Sequence, residues 1–153
     1  MKPKKKITIM LTVEKAFDIR FSEIDMMQVV WHGTYPVYLE DAREAFGNKY
    51  GLSYQRYMVE STFAPIVEMK LNYKRPLKYG MKPVVKITYH PTESAKIVFD
   101  YEIRDSLTGE VCLTAHTVQV FMDKQYQLLW ENPPFYEAWK QKMVALYPQL
   151  MAD

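Results

Sequence analysis

The chain has five strand-like stretches, three of which alternate apolar and polar residues with a period of two, and two stretches with a helical period. The first alternating stretch, residues 12–21, predicts a strand with one buried face. After a connector over residues 22–31, residues 36–49 carry an apolar stripe at helical spacing, which predicts a helix. Pro36 is tolerated in a first helical turn, and Gly51 stands just past the last turn, where a left-handed residue often ends a helix.

Four further strand-like stretches follow this helix. Short turns join them, which predicts antiparallel hairpins. They are residues 63–73, 84–90, 96–104 and 111–122. After Asn132-Pro133-Pro134 the spacing changes again and predicts a short C-terminal amphipathic helix. One long helix therefore has to cover the apolar face of a five-stranded antiparallel sheet, which gives an α+β domain. Pairing of two chains through their sheet edges is one way to protect those edges.

The composition fits one globular domain. The chain has 153 residues, of which 48% are apolar and 25% charged, and we expect a basic tail over residues 1–11 followed by a single domain over residues 12–153. The net charge of +2 comes from the lysines of the tail, so the body lacks the charge that nucleic-acid binding needs and we expect no such partner. A single cysteine favours a reducing, cytoplasmic location, and no apolar run is long enough to span a membrane.

Several familiar catalytic and metal-binding motifs are missing. The five glycines are scattered, so that neither a dinucleotide fingerprint nor a P-loop nor a GxSxG elbow is present. His32, His90 and His116 lack the spacing of metal ligands, and Cys112 lies in an apolar strand. We therefore expect no metal, and we interpret Cys112 as a core residue.

The most informative stretch runs from Arg20 to Arg43. Within it, Asp25 is an acidic residue in a loop that is otherwise apolar on both sides, and such surroundings would desolvate a carboxylate and make it more basic. His32 follows seven residues later, where the helix is expected to open and its free amides can stabilise an oxyanion. A carboxylate that faces such amides across a carbonyl is sufficient for acyl transfer to water. The alternative is that Asp25 only caps a turn or the helix.

These residues resemble the signature of the 4-hydroxybenzoyl-CoA thioesterase-like branch of the hotdog-fold superfamily. The resemblance extends over roughly residues 12–130 and rests on the joint spacing of many positions. They are Asp25, Val29-Val30, His32, Tyr35, Glu40, Ala42, Arg43, Pro65-Ile-Val-Glu68, Tyr73-Lys-Arg-Pro76, Gly80 and Thr114-Ala-His-Thr-Val-Gln-Val-Phe-Met-Asp123.

The resemblance implies a hotdog fold, in which a five-stranded sheet wraps around a central helix. It also implies homodimers, often assembled into homotetramers, with active sites at the dimer interface. Asp25 then matches the catalytic nucleophile or general base, and the backbone N–H of His32 matches the group that polarises the thioester carbonyl. The pantetheine arm runs between subunits and the nucleotide lies near basic side chains. CoA enters only as part of the substrate, and no other cofactor is implied.

Further residues are candidates for substrate contact. Many family members have glycine at the position of Gln28, so either this loop follows another path or Gln28 contacts the acyl group. Val29, Trp31 and the pair Met26-Met27 suit an apolar acyl pocket or an interface between subunits. Lys74, Arg75 and Lys78 form a basic cluster that either meets CoA phosphates or is a solvated strand end. Tyr35 either contacts substrate or packs, and we favour packing. Glu40 would be a helix-borne nucleophile in another branch of the superfamily, but beside Arg43 we favour an i,i+3 ion pair or a buried structural bond.

The leading hypothesis is therefore a thioesterase that hydrolyses a fatty or aromatic acyl-CoA. An acyl-ACP thioesterase and a non-catalytic acyl-thioester-binding protein are the alternatives. A hotdog dehydratase would need a histidine and a carboxylate as partners, and His90 and His116 lie in strands without an obvious acidic partner. Nucleic-acid binding would depend on the basic tail and on the aromatic and basic residues 54–57.

Overall fold

The computed structural model describes residues 11–148, so most of the predicted tail lies outside the described residues. Its strands are β1 (Thr12–Ala16), β2 (Ile66–Tyr73), β3 (Pro83–His90), β4 (Lys96–Asp105) and β5 (Val111–Val120). Its helices are α1 (Tyr35–Tyr50), α2 (Tyr54–Val59) and α3 (Pro134–Leu146), with a 3₁₀ turn at Phe21–Glu23. No helix within these residues is both long and apolar enough to cross a bilayer.

The five strands form one antiparallel sheet, as the sequence predicted, and their order in it is β1-β3-β4-β5-β2. β1 and β2 are its two edges. Leu11, which the sequence analysis assigned to the tail, is buried, and its carbonyl accepts a hydrogen bond from the Tyr89 N–H at 2.9 Å. The rest of the proposed boundary between tail and domain stays a prediction.

β2 begins at Ile66 rather than at residue 63, and β5 ends at Val120 rather than at residue 122. β1 and α2 differ more from the sequence prediction. β1 ends at Ala16 rather than at residue 21, because the chain leaves the sheet after Phe17 donates to the carbonyl of Pro83 at 3.2 Å. The short helix α2 was not predicted. Its six residues are too few to show a period, and its start is fixed by the Ser53 hydroxyl, which accepts from the Arg56 N–H at 3.3 Å.

α1 lies against the inner face of the sheet. Buried and half-buried residues alternate along β3 and β4, so every second side chain points towards the helix. α1 buries Leu39, Ala42 and Phe46 against this face, and each large apolar side chain buried in this way contributes roughly 1.5–3 kcal/mol. α3 closes the end of the core with Tyr136 and Trp139, so the protein has one continuous core.

The C-terminal end of α1 depends on two glycines. Gly51 takes φ 90°, and its N–H bonds to the carbonyl of Gly47 at 2.8 Å, which confirms the predicted left-handed cap. Gly47 is buried inside the helix, and a Cβ at this position would lie 2.3 Å from the carbonyl oxygen of Leu52. The chain that leaves α1 therefore folds directly over Gly47 and leaves no room for a side chain.

We expect Gly47→Ala to destabilise the protein by about 1–3 kcal/mol, because the new methyl group would collide with the backbone at Leu52. At an ordinary helical position the same change would stabilise by up to about 1 kcal/mol. The measurement is the midpoint of urea unfolding, with Asn48→Ala at the next, exposed helical position as control. Equal or greater stability of Gly47→Ala would show that the close approach at Leu52 does not exist.

Candidate active site

A tight turn holds Asp25. Ile24 and Val30 form an isolated antiparallel bridge, and the Asp25 N–H donates to the Val29 carbonyl at 2.9 Å. Within the turn, Oδ1 of Asp25 accepts from the Met27 N–H at 2.8 Å. Asp25 therefore does cap a turn, as the simpler interpretation expected. Its second carboxylate oxygen has no hydrogen-bond partner among residues 11–148 and is free to act on a substrate.

Gln28 adopts the backbone conformation that glycine would favour. Its φ is 65°, in the left-handed region, and its N–H donates to the Asp25 carbonyl at 3.0 Å. Gln28 thus takes up a left-handed conformation without the freedom of glycine, and whether the loop follows another path than in the family stays a prediction. The side chain of Gln28 is exposed, and its contact with an acyl group stays a prediction.

His32 lies in the turn that precedes α1, not in its first helical turn as expected. α1 begins only at Tyr35. The turn before it is closed by the Thr34 N–H, which donates to the Trp31 carbonyl at 2.9 Å. The His32 carbonyl accepts from the Tyr73 hydroxyl at 2.7 Å. Within residues 11–148 the backbone N–H of His32 has no hydrogen-bond acceptor, which leaves it available to a substrate oxygen.

Glu23 and Tyr38 position this loop, and the sequence analysis missed both. The Tyr38 hydroxyl of α1 donates to Oε1 of Glu23 at 2.9 Å, and the Glu23 carbonyl accepts from the Trp31 N–H at 2.9 Å. Burial, together with the neighbouring Glu23, raises the pKa of Tyr38, so its hydroxyl stays protonated as a donor. A glutamate two residues before Asp25 was the available signal, but only the tertiary structure shows its partner.

Tyr35 is buried, with its ring edge-on to those of Tyr38 and Tyr73, at centroid distances of 5.9 and 5.1 Å. Burial also raises the pKa of Tyr35. These contacts support the packing interpretation, because the ring of Tyr35 packs against Tyr73, whose hydroxyl donates to the His32 carbonyl. A direct contact between Tyr35 and substrate stays a prediction.

The predicted basic cluster lies beside the Asp25 loop. Lys74 and Arg75 follow the last residue of β2, and the next turn brings the Leu77 carbonyl to the Val30 N–H at 2.8 Å. Lys74, Arg75 and Lys78 are exposed. Arg75 makes a loose ion pair with Glu110 at 3.7 Å, which surface exposure makes weak. The fold therefore brings cations next to the candidate catalytic loop, 40 or more residues away in sequence.

The apolar residues around Asp25 are exposed in the single chain. Met26, Met27 and Trp31 present most of their surface to solvent, while Val29 is only half-buried. Such a cluster of large apolar side chains on a soluble surface is typical of a binding interface. The desolvation of Asp25 expected from the sequence therefore requires a second surface to cover the loop.

A large groove lies elsewhere on the described part of the chain. It has a volume of about 1220 Å³ and runs between the outward side of α1, the segment that contains α2, and residues 61–65 before β2. Neither Asp25 nor His32 lines it. Arg43 projects into this groove, where its guanidinium donates to the Tyr101 hydroxyl at 3.0 Å. Among the described residues Arg43 makes no ion pair with Glu40, and its structural bond is to the Tyr101 hydroxyl instead.

The two strand histidines have an acidic partner that the sequence analysis did not find. Asp100 lies 2.5 Å from Nε2 of His90 and 2.6 Å from Nδ1 of His116 through its two carboxylate oxygens. Alternation along β4 places Asp100 on the outer face of the sheet, because its neighbours Phe99 and Tyr101 are buried on the inner face. The cluster is therefore separated by the sheet from α1 and from the Asp25 loop.

Within residues 11–148 no three histidine, cysteine, aspartate or glutamate side chains are arranged to hold a metal ion. Cys112 is buried, and burial raises the pKa of its thiol. This agrees with its interpretation as a core residue.

Comparison with known proteins identifies the fold. Residues 19–142 match the family model of the thioesterase-like superfamily. A putative acyl-CoA thioesterase of Bacillus subtilis, YneP, is 30% identical over 112 residues, which cover 73% of this chain and 80% of that protein. A DHNA-CoA thioesterase from Staphylococcus aureus superposes with a TM-score of 0.79 at 24% identity, covering 93% of this chain and 97% of the other.

A variant of 4-hydroxybenzoyl-CoA thioesterase, complexed with 4-hydroxybenzoyl-CoA, superposes with a TM-score of 0.73 at 17% identity, covering 84% and 97% of the two chains. These structural similarities confirm the hotdog fold that the sequence predicted. With a family match over most of its length, the chain belongs to the thioesterase-like superfamily and is a thioester hydrolase.

Proposed function

We propose that this protein hydrolyses acyl-CoA thioesters, with Asp25 as the catalytic carboxylate and the His32 amide as the donor to the carbonyl oxygen. The observation that carries the proposal is the loop that the two groups share. It holds one oxygen of Asp25 in a turn, and it leaves the other oxygen and the His32 N–H without a partner among residues 11–148. The relative YneP, a putative acyl-CoA thioesterase, supports the same substrate class.

The chemistry needs only these groups and water. As the carbonyl carbon is attacked, negative charge develops on its oxygen, and the His32 N–H stabilises that charge. Asp25 either adds to the carbon, forming an anhydride that water then hydrolyses, or takes a proton from the attacking water. In both routes the C–S bond breaks, the thiolate sulfur receives a proton, and the products are a carboxylic acid and CoA.

We infer that the working unit is a homodimer paired through β2. Tyr73, at the end of β2, holds the Asp25 loop, whereas the groove borders Ala64 and Pro65, just before β2 begins. β2 has eight residues, so its two ends lie roughly 23 Å apart at about 3.3 Å per residue. The Pro65 end of the groove is therefore about the length of β2 away from the Tyr73 end of the strand, where the Asp25 loop is held.

Antiparallel pairing of two β2 edges about a twofold axis would remove this separation. It would bring the end of one β2 beside the start of the other, and so the Asp25 loop of one subunit beside the groove of its partner. The exposed residues Met26, Met27 and Trp31 would then be covered, and Asp25 desolvated. Assembly of two such dimers into a tetramer stays a prediction.

The basic cluster beside the loop fits the phosphates of CoA. Lys74, Arg75 and Lys78 are exposed in the segment that bonds to the loop through Leu77, and there the nucleotide would remain while the pantetheine arm runs inwards. The same cluster would also suit the acidic surface of an acyl carrier protein, which is the alternative substrate.

Asp25→Asn should lower kcat about 100- to 10,000-fold, because an amide neither attacks the carbonyl nor accepts a proton from water. The amide oxygen still accepts from the Met27 N–H, so the loop and the stability of the protein should be unchanged. The measurement is CoA release from acyl-CoA substrates, with Asp18→Asn as a matched control at an exposed position. Near wild-type turnover by Asp25→Asn would remove Asp25 from the mechanism.

Met69→Lys should convert the dimer to a monomer and abolish most of the activity, although Asp25 is untouched. Met69 lies in the middle of β2, opposite Thr117 on the inner face, and an inward-pointing charge on an edge strand prevents strand pairing. Sedimentation velocity and CoA release measure the two effects. Lys70→Gln, on the neighbouring outer position, is the control and should remain dimeric; a fully active Met69→Lys monomer would contradict the interface site.

The double variant Lys74→Ala/Lys78→Ala should raise KM for acyl-CoA several-fold at low salt and change kcat much less. Each exposed ion pair with a phosphate contributes roughly 0.2–1 kcal/mol, and salt screens it. The experiment compares acyl-CoA with the corresponding acyl-pantetheine, which has no nucleotide phosphates. An equal rise in KM for both substrates would show that the two lysines do not contact the nucleotide.

A further inference from the structure

The groove between α1 and the α2 segment has the composition of a small-molecule site. Its floor is apolar and aromatic, with Phe46 and Phe99 edge-on to each other at 4.9 Å and Leu52 beside them. Its mouth is formed by the stacked rings of Phe63 and Tyr126, 5.7 Å apart. Ligand sites are typically apolar in this way, with a few polar groups that set orientation and specificity.

Arg43 is one of these polar groups. Its guanidinium is held by the Tyr101 hydroxyl, which in turn shares a hydrogen bond of 2.7 Å with the Thr117 hydroxyl. Among the described residues no carboxylate lies within ion-pair distance of Arg43. A guanidinium has five N–H donors, and one bond to a neutral hydroxyl leaves most of them available.

Tyr57 is the second polar group. It lies in α2 and lines the groove, with its ring edge-on to that of Phe135 at 5.7 Å. Burial raises the pKa of Tyr57, so the hydroxyl keeps its proton. Within residues 11–148 this hydroxyl makes no hydrogen bond, and an oxygen on a ligand would supply one.

The charges around the groove favour a neutral ligand group. Arg43 and Lys124 contribute two positive charges to its walls, and Glu40 and Glu44 contribute two negative charges. With the charges balanced, a carboxylate would gain little from the net field, whereas an uncharged oxygen can still accept from Arg43 and Tyr57.

We propose that this groove receives the far end of the acyl group and selects acyl groups that carry an uncharged oxygen there, a hydroxyl or a carbonyl, through Arg43 and Tyr57. This inference rests on the proposed thioesterase function and on the pairing of each groove with the partner's Asp25. Arg43 and Tyr57 are then specificity-determining residues: they act on the acyl group and leave the thioester to Asp25 and His32.

The test compares kcat/KM for matched substrates that differ by one oxygen. One pair is aromatic, 4-hydroxybenzoyl-CoA and benzoyl-CoA, and the other aliphatic, 8-hydroxyoctanoyl-CoA and octanoyl-CoA. The wild-type protein should prefer the oxygenated member of at least one pair about tenfold, as expected for one or two hydrogen bonds. Which pair shows the preference identifies the acyl class, and a ratio near one for both pairs would overturn the proposal.

Arg43→Met and Tyr57→Phe should each lower this ratio about 3- to 10-fold, by slowing the oxygenated substrate far more than its partner. Arg43→Lys, which keeps a donor, should recover part of the ratio. Arg104→Met, on the outer face of the sheet, is the control for loss of an arginine and should keep the wild-type ratio. Unchanged ratios in both groove variants, or faster hydrolysis of suberoyl-CoA than of the 8-hydroxy substrate, would contradict the proposal.

Binding separates this inference from the proposed function. In 4-hydroxyphenacyl-CoA and phenacyl-CoA a methylene group between sulfur and carbonyl prevents hydrolysis, so their affinities can be compared by calorimetry without turnover. If no thioester is hydrolysed but the hydroxylated analogue binds about tenfold more tightly, the thioesterase proposal fails and the specificity assignment stands. If thioesters are hydrolysed without any such difference in affinity or rate, the thioesterase proposal stands and the specificity assignment fails.

Mixed dimers test which subunit supplies the groove. In a co-expressed dimer of Asp25→Asn and Arg43→Met chains, pairing across the interface gives one site with an intact Asp25 and an intact groove. This dimer should therefore recover the wild-type preference for oxygenated substrate in its remaining activity. If Asp25 and the groove of the same chain act together, the preference stays at the low value of Arg43→Met, and the intersubunit assignment is overturned.

Discussion

The structure depends on how the loop from Glu23 to His32 is held, because this loop has almost no regular structure of its own. Three hydrogen bonds tie it to distant parts of the chain: Glu23 to Tyr38 of α1, Val30 to the carbonyl of Leu77, and His32 to Tyr73 at the end of β2. Each bond joins the loop to a different element. The core that fixes α1 against the sheet therefore also fixes the position of Asp25.

A consequence is that the candidate catalytic loop is tied to one end of β2, where Tyr73 bonds to His32. The groove borders Pro65, just before the other end of the strand. A twofold axis through the open edge of the strand is the simplest operation that joins the two ends, since it reverses the strand direction. The exposed side chains of Met26, Met27 and Trp31 beside Asp25 agree with a loop that a second subunit covers.

The sheet separates this chemistry from the polar cluster on its other side. His90, Asp100 and His116 lie on outward positions of three adjacent strands, and the strict alternation of β4 keeps them away from α1. On the inner face, tyrosine hydroxyls form hydrogen bonds with other hydroxyls. Those of Tyr89 and Tyr136 lie 2.6 Å apart, and that of Tyr101 pairs with the Thr117 hydroxyl. These two buried pairs contrast with the Tyr57 hydroxyl, which lies on a half-buried residue in the groove and has no hydrogen-bond partner among residues 11–148.

The sequence alone determined the antiparallel sheet, the helix with its Gly51 cap, the hotdog resemblance and Asp25 as the central candidate, because periodicity, turn residues and motif spacing are local properties of the chain. It did not determine α2, which is too short to show a period, or the positive φ of Gln28. It also missed the partners of Glu23, Arg43 and Asp100, since a hydrogen bond between residues 15 to 58 positions apart leaves no local pattern. Only tertiary packing decided those contacts, because only packing brings distant side chains within bonding distance.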